Sequence, residues 1–438
     1  MDQASFLGLR ALGYGALVQF SWIYNRPVNM DGLRRFHRNL GYGLLGRQIE
    51  RSPIPFARDR WVLSRGPADV DVAETPRPRA EVSAWTYERA CCPIDPEYGP
   101  SWHLGVLPLA EGGAAVCLTA SHTVADGLGL LMAIADAVLG RTRNLGYAPP
   151  RARSRRRAIL EDGRQTLASV PELARALAAT VRIARHRRSD VSASFTSGRS
   201  ARWTAGADQP VAVPSLTVYV DLAQWDERAT ILGGNSNTLF AGFAGRLGVR
   251  AGRACDDGTV TLSLPISDRV ENDTRGNAVV LPVASVDPSH LVSDLTEVRV
   301  KAKQAFADLS GTSDELLASL PLTSMTPRWV ARQAAGVGLG TARLPVGCSN
   351  LGEQDPAVNR PDGTDADYPS GRLVEPGISK RILERLGGQL FVVSGRLHGK
   401  MWISANAWLP GLEKSHRALR ELVVGTLDEF GLTAEIPD

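Results

Sequence analysis

Lysine is almost absent from this sequence: only five occur in 438 residues, at 301, 303, 380, 400 and 414, so arginine carries the positive charge. The net charge of +4 is too mild to argue for a nucleic-acid partner. Cysteine is scarce as well. Cys91, Cys92, Cys117, Cys255 and Cys348 are odd in number and scattered, which argues against a disulfide framework and for reduced packing thiols. No apolar run reaches the roughly 18 residues that a membrane helix needs. The opening MDQASFLGLRALGYGALVQF has no basic leader followed by an apolar block and a cleavage site;. A transmembrane segment and a secretory signal are therefore not expected, and the expected compartment is the cytoplasm. Because H-E-x-x-H, paired C-x-x-C and the P-loop are all missing, no metal and no bound cofactor are expected. The absence of G-x-S-x-G removes a hydrolase nucleophile elbow. GVGLG at 336–340 follows no strand and lacks the third spaced glycine of a dinucleotide site, so it reads as a turn or helix end.

What is present is an α/β pattern spread over two halves. A chain of this length suits two lobes of about 200 residues with a cleft between them. β-Branched and aromatic runs predict strands over 16–24, 81–87, 103–109 and 114–120, then over 215–222, 259–266, 277–286, 343–349, 389–393 and 400–406. Helical spacing appears in RPVNMDGLRRFHRNLGYGLLG after the first strand, over 128–139, 237–247 and 291–307, and in a last segment carrying Leu419, Leu422, Val423 and Leu427;. Residues 1–150 form the expected first lobe, 151–205 an Arg-rich helical crossover, and 206–438 the second lobe. The Pro-, Asp- and Gly-rich run 355–371 is expected to be a loop.

The chemistry concentrates in SHTVADG, placed between the strand 114–120 and the helix 128–139. A neutral imidazole, with an ordinary pKa of about 6.5, can take a proton from a hydroxyl or amine attacking a carbonyl and return it to the leaving group. His122 ends an apolar strand, and the turn after it brings Asp126 and Gly127 back to the same mouth. The plainer alternative is a packed histidine, with Asp126 as the N-cap of the following helix.

H-x-x-x-D-G in this setting resembles the signature of the superfamily that includes chloramphenicol acetyltransferase, the plant BAHD enzymes, the condensation domains of peptide synthetases and the wax ester/diacylglycerol acyltransferases. LPISDRVENDTRGNAVVLPVASV, GCSNLG and VQFSWIYNRPVNMDGLRRFHRNL look like segments of the wax ester/diacylglycerol and mycobacterial polyketide-associated branch. The resemblance implies two pseudo-symmetric chloramphenicol acetyltransferase-like lobes, mixed sheets flanked by helices, and a tunnel at their interface that holds His122. It makes Asp126 structural, ion-paired to an arginine for which Arg269 is the best candidate. It places Ser349 and Asn350 near the tunnel as polar partners of substrate; the alternative is a turn that satisfies its own backbone. Two departures stand out. Ser121 replaces the first of the two successive histidines that many relatives carry, and the D-F-G-W-G motif of the plant branch is missing.

The implied activity is transfer of an acyl group from acyl-CoA to a hydroxyl acceptor, with His122 as general base. The alternatives are a condensation enzyme that uses an acyl or peptidyl carrier protein and forms an ester or amide, and a catalytically silent binding member. The cluster Arg151, Arg153, Arg155, Arg156 and Arg157 reads as a solvated face, or as a surface that attracts an acidic carrier or the phosphates of CoA.

Overall fold

The computed structural model describes residues 2–13, 15–186, 210–270, 273–318, 320–331, 345–410 and 415–437. In the strand Leu17–Tyr24, Val18, Phe20, Trp22 and Tyr24 are buried together on one face, as the two-residue period of a strand requires;. This strand lies second in a five-stranded sheet of order Tyr368–Val374, Leu17–Tyr24, Ala114–Ser121, Trp102–Pro108 and Asp71–Val72. The helix Met30–Leu40 buries Leu33, Phe36 and Leu40 at helical spacing, and Gly127–Val138 buries Leu130, Leu131 and Ile134 against the same core;.

A seven-stranded mixed sheet follows, ordered Val283–Val286, Val260–Ser263, Val346–Glu353, Gln389–Leu397, Lys400–Trp408, Ser215–Asp221 and Ala434–Glu435. Ser236–Arg250 and His416–Glu429 close its core with Leu239, Phe243, Leu247, Leu419, Val423 and Leu427. The chain is therefore mixed α/β, with sheets flanked by helices. The two sheets meet through aromatic side chains: Phe20 of the first stands edge-on to Trp402 of the second, 6.1 Å between centroids.

Two segments differ from the sequence reading. The predicted strand 81–87 is part of the helix Val82–Ala90, which buries Val82, Trp85, Thr86 and Ala90. That spacing is helical, and the β-prone Val, Trp, Thr and Tyr of the segment masked it. The predicted loop 355–371 ends inside the strand Tyr368–Val374. Pro369 and Gly371 argue against a strand interior, yet this strand pairs only with Leu17–Tyr24 at the sheet edge, where proline is tolerated;. Because it comes from beyond the crossover, it interlocks the two halves of the chain.

Two elements lie outside or shifted from the predicted ones. The helix Asp2–Leu12 opens the chain, and the helix predicted over 291–307 runs over Thr296–Ala318. The crossover forms the helices Arg155–Ala168 and Val170–His186. GVGLG at 336–340 lies outside the described residues. Among the described residues, no helix is long and apolar enough to cross a membrane.

Candidate active site

The strand Ala114–Ser121 is buried along its whole length, so the residues at its end are held by a rigid element. His122 follows directly, and its main-chain N–H donates to Ala16 O at 3.1 Å. The side chain of Asn277, from the other half of the chain, makes two bonds to it. Asn277 Nδ2 donates to His122 O at 2.8 Å, and Asn277 Oδ1 lies 2.8 Å from His122 Nδ1. Since the amide nitrogen is committed to a carbonyl, Oδ1 must be the acceptor in the second contact, which keeps the ring proton on Nδ1. Nε2 is left as the basic nitrogen, with no hydrogen-bond partner among the described residues.

Both carboxylate oxygens of Asp126 are hydrogen-bonded. Oδ1 accepts from Gly129 N at 2.7 Å, capping the helix Gly127–Val138;. Oδ2 accepts from Arg269 Nη2 and from Ala278 N, both at 2.8 Å. The side chains of Arg269 and Asp126 are 4% and 1% exposed, so each charge is removed from water and depends on the other. Arg269 Nη1 also donates to Arg275 O at 2.9 Å. One carboxylate thus joins the motif turn to the segment that presents Asn277.

Close packing explains two of the glycines here. A Cβ on Gly276 would lie 2.6 Å from Thr123 O, and one on Gly127 would lie 3.0 Å from Leu351 Cδ2;. Two further residues hold the junction. Asp2 accepts from Gly276 N and Asn277 N, each at 2.8 Å. Buried Arg47 donates to Val124 O at 2.9 Å and to Thr274 O at 2.5 Å, again tying the motif turn to the second half. Of Asp2, Arg47 and Asn277, only Asn277 had a sequence signal, its place in the quoted RGNAVV; nothing local marks the other two.

His122, Gly127, Asn277, Ser349 and Asn350 line one cavity of about 540 Å³ between the two halves. Its other walls are mainly apolar, with Val18, Phe20, Leu131, Ile266, Phe391 and Val393 among them. A second cavity of about 600 Å³ is lined by Ser121, Thr123, Leu17 and Tyr87, and Ser5 borders both. Ser121 and Thr123 therefore face one cavity, and His122 between them faces the other.

Asn350 is engaged locally. Its Nδ2 donates to Asn237 Oδ1 at 2.6 Å, and its Oδ1 accepts from Gly352 N at 2.9 Å. Cys348 also reaches the cavity wall, but burial pushes its thiol up, away from the reactive thiolate;. His37 and His103 are buried elsewhere, and desolvation lowers both, as expected of packed neutral imidazoles;. Arg153 and Arg157 bond Glu161, and Arg153 also bonds Asp162. No cluster of three or more His, Cys, Asp or Glu among the described residues is placed to hold a metal ion.

No protein-family model matches the chain, and no curated protein matches it by sequence. Solved structures do resemble it. The first condensation domain of the calcium-dependent antibiotic synthetase, in complex with a substrate analogue, superposes with a TM-score of 0.55 at 14% identity, covering 100% of this chain and 96% of that one. The first condensation domain of the CDA synthetase gives 0.53 at 13% identity, with 99% and 97% covered. Polyketide synthase associated protein 5 from Mycobacterium tuberculosis gives 0.50 at 15% identity, with 97% and 96% covered. The chain thus has the fold of the condensation domains and of the polyketide-associated protein.

Proposed function

We propose that the protein is an acyltransferase that moves an acyl group from a thioester donor, acyl-CoA, to a hydroxyl acceptor. The observation that carries this reading is the seat of His122: Asn277 holds its Nδ1 and its main-chain oxygen, leaving Nε2 unengaged on the wall of the cavity between the lobes. As the acceptor oxygen attacks the thioester carbonyl, Nε2 takes its proton. When the tetrahedral intermediate collapses, the C–S bond breaks and the departing sulfur takes that proton, giving an ester and a free thiol. An amine acceptor would give an amide by the same path. Such base catalysis contributes typically about a hundredfold to ten-thousandfold.

The roles of the other residues follow. Asp126 and Arg269 hold the turn and do not meet substrate. Gly127 lets Leu351 approach, and Ser349 is the polar group best placed for substrate, since both polar ends of Asn350 are engaged. Apolar cavity walls suit a hydrophobic acyl group, whose burial there is favourable at roughly 25 cal/mol per Å². The fold shared with biosynthetic condensation domains supports a transferase of this general kind.

A second reading has its own support, because the neighbours in fold include the first condensation domain of the CDA synthetase. On that reading the donor is bound to an acyl or peptidyl carrier protein. A mass-spectrometric screen decides: acyl-CoA and acyl-carrier donors are offered against alcohols and amines. The expected result is an ester and free CoA from acyl-CoA alone. If free acyl-CoA is inert and only carrier-bound donors react, the carrier-dependent reading replaces it.

A further inference from the structure

Among the described side chains of the crossover helices, five large apolar residues face out. Arg155–Ala168 runs almost without interruption into Val170–His186, since Ser169 N donates to Gln165 O at 3.0 Å and Leu173 N to Ser169 O at 2.9 Å. At 100° per residue, Ile159, Leu160, Leu167, Val170 and Leu177 fall in one sector about 100° wide. All five are exposed, Leu160 at 62% and Leu167 at 72%. Among the described side chains of the same helices, the buried ones, Ala158, Asp162 and Ala176, lie on the opposite side.

Charge follows the same geometry. Arg155 lies on one flank of this stripe, Arg164 and Arg175 on the other, and Arg156 at its leading end. The acids of this stretch are already spent: Glu161 bonds Arg153 and Arg157, Asp162 bonds Arg153, and Glu172 bonds Arg58. Arg155, Arg156, Arg164 and Arg175 make no ion pair among the described residues. The loop that holds Arg58 also projects Phe56, 53% exposed, and Phe56 shares a shallow cleft with Arg328, next to Trp329 at 66%. Aromatic and aliphatic side chains bordered by unpaired arginines are the pattern of a helix that lies in the interface of a bilayer.

We propose that the outer face of the crossover helices binds an anionic lipid surface, with Leu160 and Leu167 entering the headgroup boundary and the arginines contacting lipid phosphates. An acidic carrier protein would satisfy the arginines but gives no reason for an uninterrupted apolar row between them. The interaction is separate from chemistry at His122, so its test reads binding alone.

The test is co-sedimentation of the full chain with vesicles of phosphatidylcholine, and of phosphatidylcholine mixed with phosphatidylglycerol. The protein is expected to pellet with the mixed vesicles and much less with the neutral ones. Leu160→Asp with Leu167→Asp should lower that partition about tenfold or more, as should Arg155→Glu with Arg164→Glu, because apolar burial and charge attraction act together. All four positions are exposed, so the melting temperature should stay at the wild-type value. The proposal is overturned if wild type stays in the supernatant or if the leucine variant binds as wild type does. It is also overturned if an acyl carrier protein binds this face with no effect of the leucine changes, or if those changes abolish a dimer in place of vesicle binding.

Discussion

His122 and Asn350 face one cavity from opposite halves of the chain, and their polar atoms are spent differently. Asn277 takes the carbonyl and Nδ1 of His122 and leaves Nε2 free. Asn350 gives both ends of its amide to neighbours, Asn237 and Gly352. On the proposed function, the difference separates the group that carries the proton from one held mainly by its neighbours. Reaching a cavity does not make a residue functional; having an atom left over after the scaffold is satisfied does.

The largest effect that would break this comparison lies beneath His122. Asp126→Ala or Arg269→Ala leaves an unpaired buried charge and should lower stability by about 3 to 5 kcal/mol. In urea unfolding, the double variant should cost less than the two single changes together. Additive losses would mean that the pair does not hold the turn.

Asn277→Ala comes next. It removes the partner of Nδ1 and of the His122 carbonyl, and should cost about 1 to 3 kcal/mol of stability. It should also lower kcat about tenfold or more with KM little changed, because the ring loses its fixed tautomer and the base its orientation. A normal kcat would show that the ring needs no such partner.

Asn350→Ala is the matching change on the other wall, and kcat/KM should move by less than about threefold. A tenfold loss would mean that Asn350 meets substrate through the N–H and lone pair that Asn237 and Gly352 leave over. The smallest effect is expected far from the cavity: Arg155→Glu with Arg156→Glu should change KM for soluble acyl-CoA by less than about threefold, since these side chains lie outside the binding contacts.

Much of this was legible in the sequence, for reasons that particular residues show. The strand Ala114–Ser121 and the helix Gly127–Val138 are strongly apolar and continuous, so the turn between them, with His122 and Asp126, could be placed before any coordinates. The strand Tyr368–Val374 was hidden because its edge position excuses a proline and a glycine that otherwise signal a loop. The helix Val82–Ala90 was hidden because its residue types favour strands although their burial follows a helix. The supports of the site were the least legible. Asn277 lies 155 residues from His122, and Arg47 lies 227 from Thr274. Contacts of that separation leave no local period to read.

The central claim is that Nε2 of His122 carries the proton in acyl transfer. The direct measurement compares wild type and His122→Ala in a steady-state assay of thiol release with an acyl-CoA and acceptor pair, alongside their melting curves. The account predicts a loss in kcat of about a hundredfold or more with a melting temperature close to wild type. Undiminished turnover by the folded variant would contradict it.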